Sequence, residues 1–186
     1  MVSKDMKREL LRIARLSIES KLDYKDFVPD YTELSDACFE KRGVFVVLIQ
    51  DNFMKSMSGI TEPNKELYQL VQECAVNAAF YTKIKVTKLD LPKIVIEISL
   101  VGNLKKLDYS GADDLQSKIN SKIGLVLKEG MHKQVFLPTM WRMYPDKRVF
   151  LDKLCSEAGL QDATWMRKPL DLQYFTTESF AEDDEK

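Results

Sequence analysis

Histidine is nearly absent from this chain: His132 is the only one in 186 residues. A metal site assembled from several His, Cys or carboxylate ligands at set spacing has no such set to draw on. A Ser-His-Asp arrangement would have to use His132, and no GxSxG elbow presents a nucleophile to it. Cysteine is scarce too. Cys38, Cys74 and Cys155 are far apart, none belongs to a CxxC pair, and an odd count does not suggest a secreted disulfide framework. No run approaches the ~18 apolar residues of a membrane span. The charged start MVSKDMKREL lacks the apolar stretch of a signal peptide. A cytoplasmic protein in a reducing compartment, with no membrane partner, is the expectation. There is also no GxGxxG, no P-loop, no repeat and no low-complexity tract.

Neither sign of charge dominates. Lys and Arg number 28 and Asp and Glu 29, for a net charge of −1. Residues 181–186 hold four acids and one lysine, a net of −3, so the remainder is +2 (−1 minus −3). That balance argues against a dedicated nucleic-acid binder, which needs a basic field to meet phosphates.

What is present is a periodic pattern. Met6, Leu10, Ile13, Ala14 and Ser17 mark a first helix over about 3–20, with Ser3 as its cap. GVFVVLI, residues 43–49, reads as a strand buried on both faces. Asp51-Asn52 turns it into a partner strand over 53–58. A Ser/Gly loop then feeds a helix whose stripe is Leu67, Leu70, Val71, Cys74, Ala75 and Ala78, with Thr61 or Asn64 as the expected cap. Residues 93–101 form a strand with Ile94, Ile96, Ile98 and Leu100 on one face and Glu97 on a second, half-solvated face. A short helix over 112–119, a hairpin over 123–137 turning at Glu129-Gly130, a helix from Asp146 to Ala158 closed by Gly159, and a strand over 170–175 complete the pattern. The elements show no βαβ rhythm, so the fold class is α+β, mainly antiparallel, with flanking helices. One domain over 1–180 is expected, followed by an acidic disordered tail over 181–186.

Four segments in order carry a resemblance: AVNAAF (75–80), LPKIVIEISLVGN (91–103), FLPTM (136–140) and FLDKLCSEAGL (150–160). The chain resembles the AMMECR-type domain family, named from the Alport syndrome, midface hypoplasia and elliptocytosis chromosomal region. The resemblance implies two lobes around a cleft and no established activity. Members occur beside genes for a Memo-type protein and a radical S-adenosylmethionine enzyme, as protein A of the AmmeMemoRadiSam neighbourhood, which implies a shared pathway. The family loop Leu-Arg-Gly-Cys-Ile-Gly aligns with Met54, Lys55, Ser56, Met57, Ser58 and Gly59, so Met57 stands at the cysteine position. Asp-Ser-Arg-Phe becomes Tyr81-Thr82-Lys83-Ile84, and Gly-x-His-Gly becomes Ser121-Lys122-Ile123-Gly124. A thioether is not a thiolate nucleophile, so family chemistry cannot run through Met57.

These readings lead to a binding or assembly component without catalysis of its own, acting with the Memo-type and radical proteins. One alternative is a small-molecule enzyme using the loop at 56–62, and another is an RNA-binding module. The residues expected to line a site are Lys55, Ser56, Ser58, Gly59, Glu62 and Glu97, with backbone N–H groups and Lys55 receiving a small anionic ligand. No cofactor or metal is called for.

Overall fold

The computed structural model describes residues 2–83 and 85–185. Ile84, at the end of the altered Asp-Ser-Arg-Phe position, and Lys186, at the end of the acidic tail, lie outside the described residues. The chain divides into two compact units, one of residues 1–101 with 178–186, the other of residues 102–177.

The first unit grows from the predicted helix. α1 (Lys4–Leu22) starts at Ser3, whose hydroxyl accepts the Met6 N–H, and buries Met6, Leu10, Ile13, Ala14 and Ile18. β1 (Val44–Gln50) and β2 (Phe53–Ile60) form the expected hairpin, with Asp51 and Asn52 both at positive φ (54° and 65°) as a tight turn requires. α2 (Leu67–Phe80) and β3 (Ile94–Val101) follow. One face of the sheet presents Val44, Val46, Leu48, Ile94, Ile96, Ile98 and Leu100 to α1 and α2, forming one core with Leu67, Leu70, Val71, Ala75 and Ala78. Each buried leucine or valine there contributes ~1.5–3 kcal/mol.

The second unit holds β4 (Lys105–Lys106), α3 (Ala112–Lys118), β5 (Gly124–Glu129), β6 (His132–Phe136), α4 (Lys147–Glu157), α5 (Thr164–Arg167) and β7 (Leu172–Phe175). Its sheet runs β4-β7-β5-β6, all antiparallel. Trp141 stacks on Phe150 with ring centroids 3.8 Å apart and donates its indole N–H to the Ile123 carbonyl. Gly130 and Gly159 adopt the positive φ that the hairpin turn and the helix end require. The last strand, β8 (Thr177–Ala181), pairs with β3, so the first sheet has the order β2-β1-β3-β8. Two antiparallel sheets with flanking helices are the α+β architecture that the pattern predicts. No helix among the described residues is long and apolar enough to cross a membrane.

Three expectations are corrected. Ser58 and Gly59 belong to β2 rather than to a loop: Val46 pairs with Ser58 and Phe45 with Gly59. A Cβ on Gly59 would lie 2.2 Å from the Phe45 ring, so glycine is the residue that lets this ring lie over the strand. α2 begins six residues past Thr61, at Leu67, because Glu66 and Gln69 cap each other; Gln69 accepts the Glu66 N–H at 3.3 Å. The second face of β3 is not solvated, since Glu97 is 9% exposed and Ser99 fully buried. Within the acidic end, Glu182–Glu185 forms a 3-10 turn, and Asp184 accepts the Ala181 N–H.

Candidate functional site

Strand alternation separates the residues expected to gather at the signature segment. Leu48 pairs with Ser56 and Ile49 with Met54, which leaves Lys55 as the extra residue of a β-bulge. The bulge turns the Lys55 side chain to Gln50 (Nζ to Oε1, 2.7 Å) and Asp90 (Nζ to Oδ1, 3.2 Å), with 13% of the side chain exposed. Asp90 also accepts the Thr87 hydroxyl and N–H, at 2.7 and 2.9 Å. These Thr87 bonds, with Lys55 adding to them, hold the Asp90 carboxyl at about 2, below its ordinary 3.8. Lys55 thus neutralises a carboxylate of its own chain.

Ser56 and Ser58 point to the helix-packed face, in register with Leu48 and Val46. Ser56 Oγ is buried and has no hydrogen-bond partner. Ser58 sits beside the Cys74 thiol of α2 and hydrogen-bonds it. Met57, Val47 and Glu97 form a row across three strands on the opposite face. Met57 and Glu97 are therefore about 10 Å apart, two strand spacings. Glu62 lies beyond β2 in the exposed bend before α2. The six residues lie on two strands and both faces of the sheet, in a bulge and in a bend, and do not share one pocket wall.

An open groove lies elsewhere in the first unit. Its volume is about 710 Å³, with Leu22, Leu91, Pro92 and Val95 among its walls. At its edge, Arg15 of α1 grips Glu182 in a fork-on-fork pair: Nε–H donates to Oε1 at 2.9 Å and Nη2–H to Oε2. Nη1–H also donates to the Leu91 carbonyl (3.0 Å) and Nη2–H to the Ile94 carbonyl (2.8 Å). Glu182 Oε2 additionally accepts the Ile96 N–H at 2.9 Å. The two side chains so complete the hydrogen bonding of β3 beyond the end of β8. They remain 21% and 24% exposed toward the groove.

The three thiols are buried. Burial pushes Cys74 up to about 12 and Cys38 up to about 11, and it raises Cys155 as well. Cys38 touches Glu9 Oε2 at 3.3 Å, but that carboxylate already accepts the Ser35 hydroxyl and N–H and disfavours a thiolate beside it. His132 forms a 2.7 Å hydrogen bond through Nδ1 with the Ala158 carbonyl at the end of α4, so it ties β6 to that helix. Among the described residues no three His, Cys, Asp or Glu side chains are grouped to hold a metal ion.

The fold and the order of its segments invite comparison with known proteins. Residues 11–180 match the AMMECR1 family. This chain belongs to that family. A protein of Methanosarcina barkeri is 30% identical to this AMMECR1 chain over 168 residues, covering 86% of it and 82% of the relative. A protein of Methanothermobacter thermautotrophicus is 29% identical over 190 residues, covering 98% and 97%. The crystal structure of the uncharacterised protein PH0010 from Pyrococcus horikoshii has the same fold, with a TM-score of 0.88 at 24% identity over 98% of this chain and 94% of that one. On this AMMECR1 scaffold the groove residues Arg15 and Glu182 escaped the sequence reading. One signal was available: Arg15 interrupts an apolar run, Ile13-Ala14-Arg15-Leu16, where a lone cation needs a partner.

Proposed function

We propose that this AMMECR1-family protein is a non-catalytic binding or assembly component that acts with a Memo-type protein and a radical S-adenosylmethionine enzyme. The observation that carries the reading is the state of the signature segment. It is a bulged edge strand with a thioether at Met57, and its one cation, Lys55, is paired with Asp90. Strand edges and half-exposed apolar surface recruit partners without supplying a reactive group. The raised thiols of Cys38 and Cys74 are poor nucleophiles at neutral pH, which weighs on the same side. The choice of partners rests on the gene neighbourhood that the family resemblance implies.

The test is co-expression of the three proteins under anaerobic conditions, followed by size-exclusion chromatography with light scattering. The expected result is a peak in which this chain elutes with at least one of the other two at fixed stoichiometry. Separate elution of all three overturns the reading.

A further inference from the structure

We infer that Arg15 and the Ile96 N–H form a carboxylate receptor, that the groove beside it takes a small carboxylate with an apolar body, and that Glu182 is its built-in occupant. The guanidinium is held in place without Glu182, by the Leu91 and Ile94 carbonyls at 3.0 and 2.8 Å. If the Glu182 side chain swings away, the fork and the Ile96 N–H keep their geometry and lose their acceptor. A partly buried guanidinium and an edge N–H then lack the planar, two-oxygen anion that satisfied both. The chain itself demonstrates the chemistry accepted there, because the Glu182 carboxylate fills the receptor with both oxygens.

Two features separate this arrangement from a plain structural ion pair. The pair borders an open groove rather than a packed interior, and the groove's 710 Å³ falls within the range of small-molecule sites. Half-exposed Leu22, Leu91 and Val95, with exposed Pro92, give an aliphatic body a surface to cover. The occupant also sets the sign of the groove. Arg15, Lys88 and Lys93 face four acids there, two of which, Glu182 and Asp183, come from the C-terminal segment. With the segment seated the lining is −1, and without those two acids it is +1. One segment therefore blocks the receptor and repels competing anions.

The experiment follows the Ile96 amide by 1H–15N NMR in the full chain, with hexanoate as probe and acetate and inorganic phosphate beside it. In Glu182→Ala the amide should leave its parent position, and hexanoate should return it along a saturable curve. Hexanoate should bind this variant about tenfold more tightly than the parent, the factor by which an occupant seated ~90% of the time lowers apparent affinity. Acetate should bind more weakly than hexanoate, and Arg15→Lys in the Glu182→Ala background should abolish the effect. Equal binding to parent and variant, or no movement of the Ile96 amide in the folded variant, overturns the inference. Binding of phosphate but not of hexanoate overturns the carboxylate assignment. If Glu182→Ala does not fold, Glu182→Gln keeps the acceptor for Ile96 while weakening the grip on Arg15, and the same titration decides. The partner co-elution test is independent of this result, so either proposal can fail without the other.

Discussion

Ser56→Ala should stabilise this protein, and Ser99→Ala should destabilise it. The two serines lie on β2 and β3, the strands that flank β1 in one sheet, and both are buried, at 8% and 0% exposure. The Ser99 hydroxyl is bonded to the Ser179 hydroxyl at 2.8 Å. The Ser56 hydroxyl is bonded to nothing. An unsatisfied buried polar group costs ~1–3 kcal/mol in desolvation, whereas a satisfied hydrogen bond contributes ~0.5–1.5 kcal/mol net. Removing the Ser56 oxygen recovers part of that cost, while the lost van der Waals contacts of one atom, at ~0.1–0.2 kcal/mol each, offset some of it. A gain of about 1 kcal/mol is therefore expected for Ser56→Ala, and a loss of about 1 kcal/mol for Ser99→Ala. In a protein of this size each should move the melting temperature by ~2–4 °C, in opposite directions. Urea unfolding followed by circular dichroism, with unchanged slopes, measures both. A Ser56→Ala midpoint below that of the parent would show that the hydroxyl has a partner and that the assignment of an orphan is wrong.

Ala78 is fully buried in the helix–sheet core, so Ala78→Leu should cost ~1–3 kcal/mol by overpacking; a melting curve superimposable on the parent's would refute the packing of α2. Asp90 is held at about 2 in the folded protein against an ordinary 3.8, so its contribution to stability is fully present above pH 3.8 and is lost as the pH falls through about 2. Asp90→Asn should accordingly reduce the steepness of the stability profile between those two values, as read from urea midpoints, and an unchanged profile would dismiss the Thr87 and Lys55 bonds as its cause. The raised, buried thiols should resist alkylation at pH 7 in the native protein and react in urea; rapid native labelling of Cys38 or Cys74 by iodoacetamide, detected by mass spectrometry, would contradict the packing around them.

Local periodicity and capping chemistry made most of the elements legible in the sequence. Ser3, Asp51-Asn52, Gly130, Asp146 and Gly159 each mark a boundary through a property of the single residue: a side-chain acceptor or a tolerated positive φ. The sequence also carried the α+β class and the family. The Ser/Gly stretch at 56–59 misled because small residues signal loops only when no strand claims them. β1 claims this one, and the Phe45 ring over Gly59 shows how. A single β-bulge then decided the direction of Lys55, and no local signal announces a bulge. Alternation puts Glu97 on the second face of β3 but does not state what covers that face, and Glu97 is buried there.

The sequence by itself determined where most of the helices and strands lie and which of their faces are apolar, and through its family resemblance it set Met57 against the cysteine of the family loop. The tertiary structure alone decided which charges meet. Arg15 and Glu182 are 167 residues apart in the chain, and Lys55 and Asp90 are joined only through the packing of β2 against the turn before β3. Backbone preferences act over a few residues and are written locally, whereas an ion pair depends on where two distant elements come to rest, which the whole core must settle first.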